Sequence, residues 1–463
     1  MGLSRAWRSR WLRVGVGLLV LLVQCGARQT QAQAPRKGAE NAATAGACRD
    51  VRSRYFLLHT DLSEREAHDL VERLEVMLRE ISTYWGRPMQ GTIECYVVRD
   101  FNNFPLAAMH PWGVCGIRTA GGMTLMRTAT SGNSYLAKSM VYANARPEVV
   151  RHEAVHAYCH QTFGRIGPVW YSEGMAEMGH YWKEGDPSVR VEQREIHFLS
   201  ANPPKSLADT LSRSQVTGDS WQNYASRWAL CHFLVHDPNY APQFLSMGRG
   251  ILTGKDISFD QTYGATAREL WFEYRFFLQH IGRGYRVDLC AWDWNKKFAG
   301  LRPGHTLTAT IKAGRGWQPT GLTVAPGMRY EYSATGNCRI ASRYKAVDAN
   351  GDDHGRGRLV GVLMNDYRLS AEFELGGQGS LQLPAAGDLY LRCRNAWNEL
   401  TDDSGGVAIS LQRPGGAVAL RKAAQPVVAA VATKTVTAAG RVELPRLGSM
   451  NAAAAAAPVN AGQ

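Results

Sequence analysis

Apolar positions along the chain change period several times, and each change marks an element. From Ser63 to Tyr84, Ala67, Leu70, Val71, Leu74, Met77, Leu78 and Ile81 recur three or four residues apart. That spacing predicts an amphipathic helix over 63–84. Ser63 with Glu66 makes a capping box at its start. Thr92–Val98 alternates and is rich in β formers, so it reads as a strand, as do Arg54–His59 and Gly121–Arg127. Pro147 suits a first helical turn and Gly164 a helix stop, which frames a helix over 147–163. A second helix follows through Glu173, and others are expected at 221–236 and 266–281. From residue 304 short β-rich runs take over: Leu307–Ile311, Met328–Ser333, Leu359–Met364, Ser380–Leu383, Asp388–Cys393 and Val407–Leu411. Turn residues separate them, as in a β-sandwich. The fold class expected is α+β, with a mainly helical domain over 48–290 followed by an all-β sandwich over 304–413.

The two ends read differently. Residues 1–32 combine Arg5–Arg13, the apolar run Val14–Val23 and small residues at Ala27, Thr30 and Ala32. This is the layout of a signal peptide, and the run is short for a bilayer span. Gln24 before Cys25 does not fit a lipoprotein signal. A secreted or periplasmic location is expected, with no membrane span once the signal is removed. Residues 33–47 read as a flexible linker, and 414–463 as a disordered Ala/Pro-rich tail. The net charge of +13 includes five leader arginines with no acid beside them, so the mature charge is nearer +8. No dense basic run with interleaved aromatics is present, which argues against nucleic acid. Eight cysteines remain after the leader, and an oxidising compartment permits disulfides among them. Cys338 and Cys393 fall in neighbouring β stretches.

The helix over 147–163 carries His152-Glu153-Ala154-Val155-His156. Positions i and i+4 share a helix face, so both imidazoles can reach one metal ion. Glu153 then stands beside the open coordination position. Catalytic zinc usually has three protein ligands and a water. His160 is a poor third ligand, because it lies about 12 Å along the axis from His152. Glu173 in Trp170-Tyr-Ser-Glu-Gly-Met-Ala-Glu177 is the better one, since Gly164, Gly167 and Pro168 let the chain turn back. Glu177, one turn on, can accept an N–H from a ligand histidine and fix its tautomer.

These residues resemble the gluzincin zinc metallopeptidases, which carry HExxH and then a ligand Glu in an Asn-Glu-Gly-φ-Ala block, where φ is apolar. Ser172-Glu173-Gly174-Met175-Ala176 is similar to that block, and Glu177 matches an acidic position of the thermolysin-like branch. Pro168, Trp170, Glu173, Gly174, Ala176 and Glu177 also fit a pattern of secreted bacterial peptidase-like domains, over about residues 50–285. The aminopeptidase Gly-Ala-Met-Glu-Asn motif is absent. The resemblance implies a gluzincin-like peptidase domain with Zn2+ on His152, His156 and Glu173. Zinc-activated water would attack a peptide carbonyl with Glu153 as general base. Tyr224, at the head of the 221–236 helix, is the candidate oxyanion donor.

The β-rich region resembles the calcium-dependent galactophilic lectins of type I. Gly316-Trp-Gln-Pro-Thr-Gly321, Ala334-Thr-Gly336, Leu389-Tyr-Leu391 and Asp402-Asp-Ser-Gly405 carry this likeness. By spacing, Asn395, Glu399, Asp402 and Asp403 stand where those lectins hold Ca2+. None is identical to the lectin residue, so the likeness implies carbohydrate or calcium binding with altered ligands. The alternative is a plain sandwich with a solvated acidic loop. The function expected is a secreted zinc-dependent peptidase. The rival is a catalytically inactive glycan-binding or envelope-associated protein on a peptidase-like scaffold.

Overall fold

The computed structural model describes residues 48–131, 134–212 and 220–415. The expected signal peptide, linker and tail lie outside the described residues, apart from the last residues before 416. The first region builds one sheet and a helical layer. Its elements are β1 (Arg49–Arg52), β2 (Phe56–Thr60), α1 (Glu64–Trp85), β3 (Ile93–Val98), α2 (Pro111–Ala120), β4 (Gly122–Ser131) and β5 (Ser134–Asn144). Then come α3 (Pro147–Phe163), α4 (Val169–His180), α5 (Gln193–Ala201), α6 (Leu207–Thr210), α7 (Trp221–His236), α8 (Ala241–Leu252), α9 (Phe259–Tyr263), α10 (Ala267–His280) and α11 (Val287–Cys290). The sheet order is β1-β2-β3-β5-β4. β3 pairs in parallel with both β2 and β5, whereas β4 runs antiparallel to β5 and forms an edge.

The capping box expected at Ser63 and Glu66 starts α1, and Ala67, Leu70, Val71, Leu74, Met77 and Leu78 are its buried face. α2 and β5 were not expected. Gly113 and Gly116, poor helix formers, permit close contact with the sheet. A Cβ at Gly113 would sit 2.3 Å from the Tyr142 ring, and one at Gly116 2.5 Å from Met123 Cβ. In β5, Met140–Ala143 are all buried because the strand is covered on both faces, which erases alternation.

After Cys290 the described elements are strands and short turns. They are β6 (Thr306–Lys312), β7 (Gln318–Val324), β8 (Arg329–Thr335), β9 (Cys338–Arg339), β10 (Ala346–Val347), β11 (Leu359–Asn365), β12 (Arg368–Leu369), β13 (Phe373–Glu374), β14 (Gln378–Gln382), β15 (Gly387–Cys393) and β16 (Ser404–Gln412). One sheet runs β10-β9-β16-β8-β14, with β6 also on β16. The other runs β12-β11-β15-β7, with β13 also on β11. β7 escapes the sequence pattern because of Pro319 and Gly321. It sits at a sheet edge, where a proline is tolerated. The chain is therefore mixed α+β.

Two cores result. Ile311, Leu322, Tyr330, Leu359, Leu391 and Ile409 belong to one between the β-rich sheets. The other fills the first region and continues across the junction through Trp292, Trp317, Val360, Tyr390 and Trp397. Glu273 fastens the connecting segment, accepting from Trp292 N at 3.0 Å, Trp294 Nε1 at 2.6 Å and Tyr240 Oη at 2.8 Å. None of the helices among the described residues is long and apolar enough to cross a membrane.

Candidate metal centre

α3 carries His152 and His156 on one face, with their Nε2 atoms 3.3 Å apart. α4 brings Glu173 against them. Its Oε2 lies 3.5 Å from His152 Nε2 and 3.6 Å from His156 Nε2. Three donor atoms thus form a nearly equilateral triangle. Ligand bonds of about 2.0–2.1 Å in a tetrahedral site imply edges of about 3.3–3.4 Å, so the donor set fits one small cation such as zinc. Burial pushes the Glu173 carboxyl up, but the imidazoles of His156 and His152 outweigh it and hold the group well below the ordinary carboxylate range.

Glycines make this approach possible. A Cβ at Gly174 would fall 2.4 Å from Cys231 Sγ and 2.9 Å from the Arg227 carbonyl, so α4 packs on α7 only without a side chain there. Gly179 meets α3 in the same way, 2.6 Å from Val155 Cγ2. Arg151 of α3 donates to the Gly179 and His180 carbonyls at 3.1 and 2.7 Å, tying down the end of α4.

Glu177 Oε1 lies 3.0 Å from His152 Nδ1. A second group of close ligand atoms, His152, Glu177 and His180, shares this histidine. A neutral imidazole offers one N–H and one lone pair. With the N–H directed to Glu177, the lone pair of Nε2 faces Glu173 and His156. His152 then serves the first group alone. His160 is in neither group. It is buried, its Nδ1 has no partner among the described residues, and burial first and His156 second push it down to about 3.

Glu153 is buried and held from the sheet side. The Thr124 hydroxyl of β4 reaches Glu153 Oε2 at 2.7 Å and the Glu153 carbonyl at 2.9 Å. Gly122, at the start of β4, leaves space for it: a Cβ there would meet Glu153 Cγ and Oε1, both at 3.0 Å. Tyr224 of α7 stands with its ring centroid 6.4 Å from that of His152. Burial, followed by Glu173, Glu177 and Glu153, pushes its phenol far up, so it stays protonated and able to donate. Sequence reading found neither Thr124, Gly122, Arg151 nor His180. Only the Gly121-Gly122 pair at a strand start hinted at a close approach.

The four residues proposed for calcium share one loop but engage protein donors. Asn395 Nδ2 donates to both Asp403 oxygens at 3.1 and 3.0 Å, and Ala341 N to Asp403 Oδ1 at 3.0 Å. Asp402 accepts from Ser342 N at 3.2 Å, and Glu399 lies 3.6 Å from Arg343. Among the described residues, the close groups of three or more His, Cys, Asp or Glu side chains are those at α3 and α4.

No protein-family model matches the chain, and no curated protein matches it. Solved structures give faint likenesses. The N-terminal domain of EclA, a PllA-like lectin, is 19% identical with a TM-score of 0.20, over 23% of this chain and 95% of that one. The IMPa metallopeptidase from Pseudomonas aeruginosa is 14% identical with a TM-score of 0.17, over 46% of this chain and 25% of that one. IMPa from the same organism in complex with an O-glycopeptide is 14% identical, with a TM-score of 0.16, over 45% of this chain and 25% of that one. This chain thus spans about a quarter of that metallopeptidase, and TM-scores this low carry no argument for its fold or its activity.

Proposed function

We propose that the chain is an exported zinc metallopeptidase of gluzincin type. The observation that carries the reading is the triangle of His152 Nε2, His156 Nε2 and Glu173 Oε2, with Glu153 beside it. When bound, zinc would acidify a water and polarise the carbonyl under attack. The remaining work falls to the protein. Glu153, steadied by Thr124, takes the proton of the attacking water and returns it to the leaving amine. Tyr224, kept protonated, donates to the developing oxyanion. Glu177 holds His152 in the tautomer that leaves Nε2 free.

A peptide substrate is favoured by the position of β4. It is an edge strand, and its Thr124 contacts Glu153 directly. An edge offers alternating N–H and C=O groups to an extended chain, which would lie along the general base. Export rests on the N-terminal pattern of residues 1–32. Carbohydrate or calcium binding by the β-rich region is a further proposal, resting on the sequence likeness alone.

The test is purification of wild type and Glu153→Gln, followed by metal analysis and exposure to a peptide library. Zinc in both proteins with chelator-sensitive cleavage by wild type alone is the expected result. Equal turnover by both would overturn the mechanism. Zinc binding without cleavage of any peptide would favour the inactive scaffold.

A further inference from the structure

A cavity of ≈ 560 Å³ opens where the turn after α10 meets the loop after β15. Arg283 and Gly284 form one wall, and Arg392, Asn395, Trp397 and Asn398 the other. The walls touch. Gly284 has φ +68°, and a Cβ there would lie 2.7 Å from Asn398 Cβ. The cavity is therefore fixed by packing between the helical and β-rich regions. None of the metal-centre residues lines it.

Arg392 marks it as a binding site. The residue is 5% exposed. Its guanidinium stacks on Trp397, with Cζ 3.8 Å from the ring centroid, and Trp317 lies on it at 5.4 Å. Nη2 donates to the Asn395 carbonyl at 2.8 Å. Nε and Nη1 have no acceptor among the described residues and are sealed from solvent, so an anion reaches them only with a small movement of the cavity wall. A guanidinium does not lose its proton in a protein, so burial cannot be relieved by neutralisation. An unpaired buried charge is costly, whereas the planar fork of N–H donors matches a carboxylate, phosphate or sulfate. Among the described residues no acidic side chain lines the cavity, while Arg283 adds a second cation and Asn398 an amide. Val189 and Ile196 supply apolar wall, and the volume is that of a small-molecule site.

We propose that this cavity binds a small molecule bearing an oxyanion, with the anionic group between Arg392 and Arg283 and an organic body against the apolar wall. The proposal does not depend on the metal centre.

The experiment uses the full mature chain. Thermal denaturation and calorimetric titration are run with sodium citrate, sodium phosphate and sodium sulfate, each against sodium chloride at matched ionic strength. The variants are Arg392→Met, which keeps the stem, and Arg283→Gln, at an exposed position. Wild type should show a saturable rise in melting temperature with at least one probe. Arg283→Gln should need about tenfold more of it, the loss of one charge-assisted contact. Arg392→Met should show no saturable response. A response to citrate alone would assign a carboxylate ligand, and one to phosphate or sulfate a tetrahedral oxyanion. Sulfate and phosphate also raise stability by exclusion from the surface, without saturation. That unsaturable rise alone, superimposable in all three proteins, would overturn the proposal. Should Arg392→Met fail to fold, the Arg283→Gln series decides in the same way.

Discussion

Glu177 Oε1 and His152 Nδ1 lie 3.0 Å apart, on the side of the imidazole ring away from Glu173. This contact fixes which nitrogen of His152 keeps its lone pair for a metal. Glu177→Ala should therefore weaken zinc binding about 10–100-fold, the usual cost of losing such a partner. Glu177→Gln should cost less, because its amide oxygen can still accept the N–H. Competition with a chromophoric chelator measures both, and wild-type affinity in Glu177→Ala would refute the role.

Thr124 makes the corresponding contact to Glu153, the proposed general base. Its hydroxyl lies 2.7 Å from Glu153 Oε2. Thr124→Val keeps the shape and removes the donor. The turnover number should fall about tenfold with zinc content unchanged, while Thr124→Ser stays close to wild type. Loss of zinc in Thr124→Val would instead assign Thr124 to the fold of the site.

The helix-borne half of the centre was legible in the sequence and the strand-borne half was not. His152, Glu153 and His156 are tied by one helical turn, and Glu173 and Glu177 by another, so their spacing carries their geometry. Thr124 and Gly122 reach Glu153 only through the pairing of β4 with β5 and the packing of α3 on that sheet. Such contacts leave no periodic trace. β5 itself was missed because a strand buried on both faces loses its alternation. β7 was missed because Pro319 reads as a breaker unless its edge position is known. The Glu-Gly block shows the reverse case: Gly174 was read as part of a motif, and the fold gives it a steric cause against Cys231.

Burial sets a pH dependence of stability. His236 and His280 are both pushed down to about 4, burial being the leading cause in each; Asp288 opposes it and Arg286 adds to it for the first, and Arg283 and Arg392 add for the second. Each folded pKa lies below the unfolded value near 6.5. Their contribution is thus present in full above about pH 6.5 and is lost as the pH falls toward 4, at about 1.4 kcal/mol per unit of difference. His280→Leu, packed between Phe276 and Trp397, should flatten this acid limb in denaturant titrations run from pH 7 to 4. Limbs of equal slope would exclude His280 as a contributor.

Cys338 and Cys393 are both buried, the Cys338 thiol points to the Gly357 carbonyl at 3.5 Å, and the two thiols lie close enough for each to shift the other's ionisation. In an oxidising compartment this pair should close. The bond would span a loop of roughly 55 residues and stabilise the β-rich region by about 4 kcal/mol in the chain-entropy account. Alkylation of protein produced in an oxidising compartment should leave both residues unlabelled, and reduction should lower the denaturation midpoint. Full labelling without prior reduction would exclude the disulfide.

Gly122→Ala tests the strand side of the centre without replacing a charged group. The new methyl would lie 2.8 Å from Val149 Cγ1 and 3.0 Å from Glu153 Cγ and Oε1. Gly122 has no left-handed backbone to lose, so the effect is one of space rather than strain. The Val149 contact is shorter than real Cβ contacts, so β4 or Val149 must move, and Glu153 is crowded and must give by a few tenths of an ångström. On the proposed mechanism a shift of Glu153 would break its alignment with the attacking water, and displacements near 1 Å cost about 100-fold in rate. Turnover should drop steeply while zinc binding stays near wild type, because His152, His156 and Glu173 lie on α3 and α4 and not on β4. A loss of zinc in step with activity would show that β4 supports the ligands as well as the base.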